Sequence, residues 1–330
     1  MIQALPPVIP PPRTALELLR SPDFSARLST GDSILDGALG GGFDVHTITD
    51  LAGEAGAGKS QLCLQLACMV QLPRHLGGLG GHACLLSTEG SFSSKRLRQI
   101  AEALQRRYPE DLKGNLCDNV YVQTIKTAEE LLLSLQTALP AILEEKPIRL
   151  VVIDSIAAVL RADFDRSQLV QRSDLMFQIA SILKRLASKY HLVVVCVNQV
   201  TASFHEEAQR FTAQPIAESA DDASPPPKPE ATPTSMESVP ASDGTFIRPA
   251  LGLSWMNCVN SRIFLTRTNM RAPVMGPEST SPEASGASMP PPAESLTVIR
   301  TLRVLFSPRI APQQTHFTIT MGGLVGLQQI

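Results

Sequence analysis

Gly53-Glu54-Ala55-Gly56-Ala57-Gly58-Lys59-Ser60 carries the most explicit chemistry in the chain. Its spacing, G-x-x-x-x-G-K-[ST], is that of a phosphate-binding loop. Glycines let successive backbone N–H groups curl around a phosphate, the lysine sets a point charge at the β- and γ-phosphates, and the serine hydroxyl coordinates Mg2+. A helix beginning at the lysine and carrying Gln61 turns its positive end toward the same anion. The stretch binds a nucleoside triphosphate, or descends from one that did.

Three more polar residues stand at the ends of apolar runs. Asp154 closes Leu150-Val151-Val152-Ile153, the arrangement of a carboxylate that holds Mg2+ through water beside the loop serine. A helix N-cap is the structural alternative. Glu89 follows the run His82–Ser87 and suits either of two roles: activating water in line with a γ-phosphate, or capping the helix from Ser94. Gln199 ends the run from Leu192, where its amide either senses a γ-phosphate or satisfies a loop start. Arg96 lies over an adenine ring or belongs to a solvated basic face with Lys95, Arg98, Arg106 and Arg107. Arg161, Arg166 and Arg172 follow Asp154. Basic side chains above a sheet suit nucleic-acid phosphates, while the interleaved Asp163, Asp165 and Asp174 suit a surface ion-pair network. Trp255 reads as a core anchor or as a base-stacking platform.

The elements that must position these residues alternate. Strands are expected at 47–52, 82–87, 120–122, 149–155 and 192–199, with helices at 61–70, 94–106, 128–143 and 172–190. That order predicts an α/β fold with a mostly parallel sheet covered by helices on both faces. Ligands in such sheets sit at the C-terminal ends of the strands. The loop, Glu89, Asp154 and Gln199 all fall at such ends, so one site is expected. Further strands at 262–266, 296–306 and 316–320 predict a C-terminal antiparallel hairpin. Residues 1–28 read as a proline-rich tether and 29–330 as one ATPase domain, with disordered insertions at 202–249 and 271–295. The first insertion carries eight acidic residues against three basic ones, too polar to bury a core.

The bulk composition narrows the partners. Across 330 residues, 43% are hydrophobic and 18% charged, which are globular values, and the net charge of -2 gives no basic field. Nucleic acid would have to meet a local patch. No apolar run approaches the ~20 residues of a membrane span, so no membrane partner is expected. The six cysteines show no C-x-x-C spacing and read as reduced core thiols in an intracellular protein.

Taken together, these stretches resemble the RecA/Rad family of recombinases from about Leu28 to Gly323. The resemblance rests on Ser29-Thr30-Gly31 with Leu35-Asp36 and Gly40-Gly41-Gly42, on GEAGAGKSQL, LLSTEGSF, LVVIDSIAAVLRADFD and VVVCVNQV. QLPRHLGGLGGHACLLSTEG and PALGLSWMNCVNSRIFLTR look most like its paralogue branch. The resemblance implies a RecA-like core that binds ATP and Mg2+, with Gly53 to Gln61, Arg96, Asp154 and Gln199 around the nucleotide. It makes Lys59 and Glu89 catalytic, puts Ser60 and Asp154 at the metal, and places Arg161, Arg166 and Arg172 in a first DNA-binding loop. It also implies a nuclear protein of homologous recombination in double-strand break repair. Such a protein would partner another recombinase paralogue, the main recombinase filament and single-stranded DNA, and its DNA-dependent ATPase would be weak. Four features depart from the family's pattern: a proline-rich tether precedes the core where an N-terminal helical domain is expected, absent or truncated here; Phe24-Ser25-Ala26-Arg27 is not its spaced Phe–Ala polymerisation motif; the second DNA loop is long and acidic; and Phe306 stands about where an aspartate would reach a neighbouring subunit's nucleotide. The competing expectations are an autonomous strand-exchange recombinase, a P-loop kinase of small molecules, and a subunit that uses ATP as interface glue.

Overall fold

The computed structural model describes residues 12–21, 26–90, 92–162, 168–203, 238–241, 245–273 and 296–328. Within the expected tether, α1 (Ala15–Arg20) is helical, and β1 (Arg27–Leu28) pairs with a strand beyond it. Then come α2 (Ser33–Ala38) and β2 (Phe43–Asp44), the antiparallel partner of β1. Asp32 starts α2 because its Oδ1 accepts from the N–H groups of Ile34 and Leu35 at 3.0 and 2.9 Å, satisfying two donors that the helix cannot.

β3 (Thr47–Gly53) enters the phosphate-loop motif and α3 (Lys59–Met69) leaves it. Next are β4 (His82–Ser87), α4 (Ser94–Arg107) and β5 (Val120–Thr124). The helix expected over 128–143 is two helices, α5 (Ala128–Gln136) and α6 (Ala138–Glu145). Two residues cause the break. Thr137 turns its hydroxyl onto the Leu133 carbonyl at 2.8 Å, a contact that bends helices, and Pro140 has no N–H to continue the ladder. β6 (Ile148–Asp154), α7 (Ile156–Ala162), α8 (Leu169–Tyr190) and β7 (Val193–Asn198) complete the alternating part.

Within the stretch expected to lack order, β8 (Val200–Ser203), β9 (Val239–Pro240) and β10 (Phe246–Pro249) form a three-stranded antiparallel sheet in the order β8-β10-β9. Residues 204–237, 242–244 and 274–295, where the rest of the two expected insertions falls, lie outside the described residues. The chain then runs through α9 (Gly252–Met256), β11 (Ser261–Pro273), β12 (Leu296–Phe306), β13 (Gln313–Thr320) and β14 (Gly323–Leu327).

The main sheet has nine strands in the order β14-β13-β12-β11-β3-β7-β6-β4-β5. Pairing is parallel from β11 to β5 and antiparallel from β11 to β14. Strand periodicity divides the core in two. Leu150 and Val152 of β6, with Val193, Val195 and Val197 of β7, pack with Leu62 and Leu66 of α3 and Ile100 of α4. Val151, Ile153, Val194 and Cys196 point the other way, to Leu131 of α5 and Ile179 and Leu183 of α8. Both faces are covered, so the strands read as continuous apolar runs.

Candidate nucleotide site and a neighbouring basic cavity

Two glycines set the shape of the loop after β3. Gly53 passes so close to β11 that a Cβ would collide with the Leu265 carbonyl. Gly58 has φ +105°, in the left-handed region, immediately before α3, a conformation that glycine adopts without strain. The Lys59 ammonium folds back onto its own loop and donates to the carbonyls of Gly53 at 2.7 Å and Glu54 at 2.8 Å. Burial pushes its pKa down, while Asp154 and Glu89 push it up. Ala57 is buried and Ala55 exposed. The Glu54 carboxylate accepts from the Arg267 backbone N–H at 3.2 Å.

The ends of β4, β6 and β7 converge beside the loop. Burial holds the Asp154 carboxyl above its usual range, and a hydrogen bond from Ser60 works against that shift, as does the charge of Lys59. One oxygen of Glu89 accepts from both Ser155 Oγ and Gln199 Nε2. Ser155 is itself fixed, its N–H donating to Thr88 Oγ1 at 2.8 Å and its carbonyl accepting from Thr88 Oγ1 at 2.7 Å. The N-cap position of α4 is Ser93, and no side chain caps that helix, so capping is not what holds Glu89. Sequence reasoning passed over Ser155, although it adjoins Asp154. Its neighbours in space come from β4 and β7, which only the sheet order brings together.

Arg96 is tied down on every side. Nε donates to Gln61 Oε1 at 2.6 Å, Nη1 to Gln99 Oε1 at 3.2 Å and the Met321 carbonyl at 2.8 Å, and Nη2 to the Thr320 carbonyl at 2.7 Å. It is therefore no solvated face residue, and burial lowers its pKa. Its rim closes a cavity of about 730 Å3 shared with Gly56, Gly58, Lys59, Ser60 and Gln61, within the roughly 300–1,000 Å3 of small-molecule sites. The donor set fits Mg2+-ATP: a loop of backbone donors and an ammonium for phosphate, and a hydroxyl beside a carboxylate for a hard cation.

The arginines expected to meet nucleic acid are not all together. Arg161 is exposed on α7, and Arg166 lies outside the described residues. Arg172, on α8, lines a cavity of about 370 Å3 with Arg248, Arg262, Thr201 and Ser254. Among the described residues Arg172 Nε and Arg262 Nη2 are buried with no hydrogen-bond partner. Arg262 Nε donates to Asp50 Oδ2 at 2.7 Å, and the other Asp50 oxygen accepts from Trp255 Nε1 at 3.1 Å. Trp255 is fully buried, so it is a core anchor, not a stacking platform. Burial raises the Asp50 pKa against the pull of Arg262. Opposite charges inside the apolar strands TITDLA and SRIFLT were the available signal for this pair. Phe306 sits beneath Arg262, whose guanidinium carbon is 5.7 Å from the ring centre.

A mostly parallel sheet with a phosphate loop, strand-end carboxylates and an appended antiparallel hairpin defines a RecA-like P-loop protein. The Rad51 family pattern matches residues 24–218. Relatives extend the likeness over nearly the whole chain. The DNA repair protein XRCC3 homolog of Arabidopsis thaliana is 34% identical over 94% of this chain and 96% of its own length. The DNA repair protein XRCC3 of Bos taurus is 33% identical over 95% of this chain and 80% of its own. The DNA repair protein rhp57 of Schizosaccharomyces pombe is 32% identical over 74% and 69%. The chain belongs to the Rad51 family, and these relatives place it on the paralogue side, as its sequence leads one to expect.

Proposed function

We propose that this chain is an ATP-binding subunit of homologous recombination in double-strand break repair. In this reading it works in the nucleus, pairs with another recombinase paralogue and stabilises the main recombinase filament on single-stranded DNA. The observation that carries the reading is Phe306. The ring packs against Arg262 of its own chain, so this position offers no carboxylate to a neighbouring subunit's nucleotide, as an autonomous filament ATPase would require. End-to-end likeness to proteins named for DNA repair supports it.

Gly53 to Gln61 would wrap the phosphates, with Lys59 leaving its two carbonyls for them. Arg96 would lie against the adenine, and Ser60 and Asp154 would hold Mg2+. Bound Mg2+-ATP supplies the γ-phosphoryl group as electrophile. Glu89 then orients a water and takes its proton, while Gln199 reports the occupant to β8. Ser155 positions Glu89. Both Ser155 and Gln199 donate to one oxygen of Glu89, which fixes the direction of its side chain. The cavity of Arg172, Arg248 and Arg262 would take a DNA phosphate, since two of its buried guanidinium nitrogens have no acceptor among the described residues and burying such donors is costly.

The test is the lifetime of filaments formed by the main recombinase on single-stranded DNA, challenged with competitor DNA. Adding the purified chain with its paralogue partner should lengthen that lifetime. An unchanged lifetime, with efficient strand exchange by this chain alone, would replace the mediator reading with that of a recombinase.

A further inference from the structure

The cavity beside Gly56 to Gln61 holds more positive charge than the loop lysine explains. β11 and β12 place Arg267 and Arg300 directly opposite each other in antiparallel register. Like charges on opposed strand residues destabilise a sheet. Arg300 lines the cavity with Gly56, Gly58, Lys59, Ser60 and Gln61. Its Nε donates to the Gly56 carbonyl at 3.2 Å and its Nη1 to the Val298 carbonyl at 2.8 Å. Both acceptors are neutral, so they orient the guanidinium without offsetting its charge, and among the described residues Nη2 has no acceptor. Arg267 flanks the same loop, with Cδ and Nη1 3.9 Å from where a Cβ of Gly56 would lie. Burial and the neighbouring Arg267 both hold the Arg300 pKa below its ordinary value, as expected of a cation short of an anion.

We propose that Arg300 is a further phosphate-binding residue of the nucleotide site, supplied by the same chain from β12. The inference rests on the reading of Gly53 to Ser60 as that site. Its ligand is the phosphate chain of a nucleoside di- or triphosphate. Two carbonyls pre-orient the planar guanidinium at the loop's wall, so little freedom is lost when a phosphate oxygen accepts from it. The wall that Arg300 shares runs toward Gln61, and neither Asp154 nor Glu89 lines it. Its contribution is therefore equal for di- and triphosphate, unlike that of groups at the γ-position. The contact also ties the β11–β12 hairpin to whether the site is filled, because the phosphates relieve the repulsion between Arg267 and Arg300.

The experiment titrates Mg2+-ATP and Mg2+-ADP calorimetrically into the full chain and its Arg300→Gln, Arg300→Lys and Lys59→Ala variants, and melts each without nucleotide. Arg300→Gln is expected to lose about tenfold in affinity for both nucleotides, the scale of one charge-assisted hydrogen bond, and Arg300→Lys to recover part of it. Without nucleotide, Arg300→Gln should melt no lower than wild type. Wild-type binding by Arg300→Gln, with binding lost in Lys59→Ala, overturns the role of Arg300 and leaves the loop reading standing. Wild-type binding by Lys59→Ala overturns the loop reading itself. A lowered melting temperature for nucleotide-free Arg300→Gln, with Arg300→Lys binding no better, marks a structural arginine and also overturns the proposal.

Discussion

Glu89 is held by a serine and an amide on one oxygen, and among the described residues its other oxygen is left for a water. Glu89→Gln keeps the size and loses the base. It should retain Mg2+-ATP binding and lower single-turnover hydrolysis by about 100-fold or more, the scale of a lost general base. Equal hydrolysis by the variant would remove Glu89 from the chemistry. At this scale the sequence was legible where function is local. The loop lies within eight consecutive residues, and its glycines, lysine and serine announce their roles by type. Ser155 and Arg300 meet partners far away in the chain, Glu89 and Gly56, so even Asp154 beside Ser155 does not mark what that serine touches. Arg172 was readable as a cation but its companions Arg248 and Arg262 were not, because they join it only when β10 and β11 are laid beside α8.

Among the elements, alternating apolar runs gave the parallel strands, since burial on both faces leaves few polar interruptions. The exceptions are informative. Asp50 interrupts β3 and Arg262 interrupts β11, and parallel pairing sets them opposite each other in register. Arg262→Met leaves Asp50 buried without its counter-charge, and should cost about 3–5 kcal/mol in urea unfolding. A loss below about 1 kcal/mol would show that its neutral partners, Trp255 among them, satisfy Asp50. At the far edge of the sheet, Gln65 Oε1 accepts from the Leu324 N–H at 2.6 Å, and Asp32 Oδ2 from the Gly326 N–H at 2.9 Å. Side chains thus close outward N–H groups of β14 that would otherwise template another strand. Asp32 also caps α2, so Asp32→Ala should destabilise by about 1–2 kcal/mol, read as a lower urea midpoint with unchanged slope. The split between α5 and α6 was missed because the 128–143 pattern is apolar-periodic throughout, and periodicity is blind to one threonine hydroxyl and one proline. The β8-β10-β9 sheet was missed because composition alone marked its surroundings as disordered.

The molecule as a whole presents its candidate nucleotide site at the C-terminal ends of parallel strands, and the basic cavity of α8, β10 and α9 is lined also by Thr201, two residues beyond Gln199. Family membership was legible because several separated motifs occur in the right order, whereas no single one besides the loop would suffice. Assembly was not, because it depends on surfaces whose complement is another chain. If ATP serves the interface as well as turnover, Lys59→Ala should weaken association with a paralogue partner as well as hydrolysis, and unchanged pulldown by the variant would separate the two. The most direct measurement is purification of the tagged full chain from its own cells with Mg2+-ATP present, followed by mass-spectrometric identification of what accompanies it. The account predicts a second Rad51-family chain in comparable amount. Recovery of this chain alone, forming filaments and exchanging strands without a partner, would contradict it.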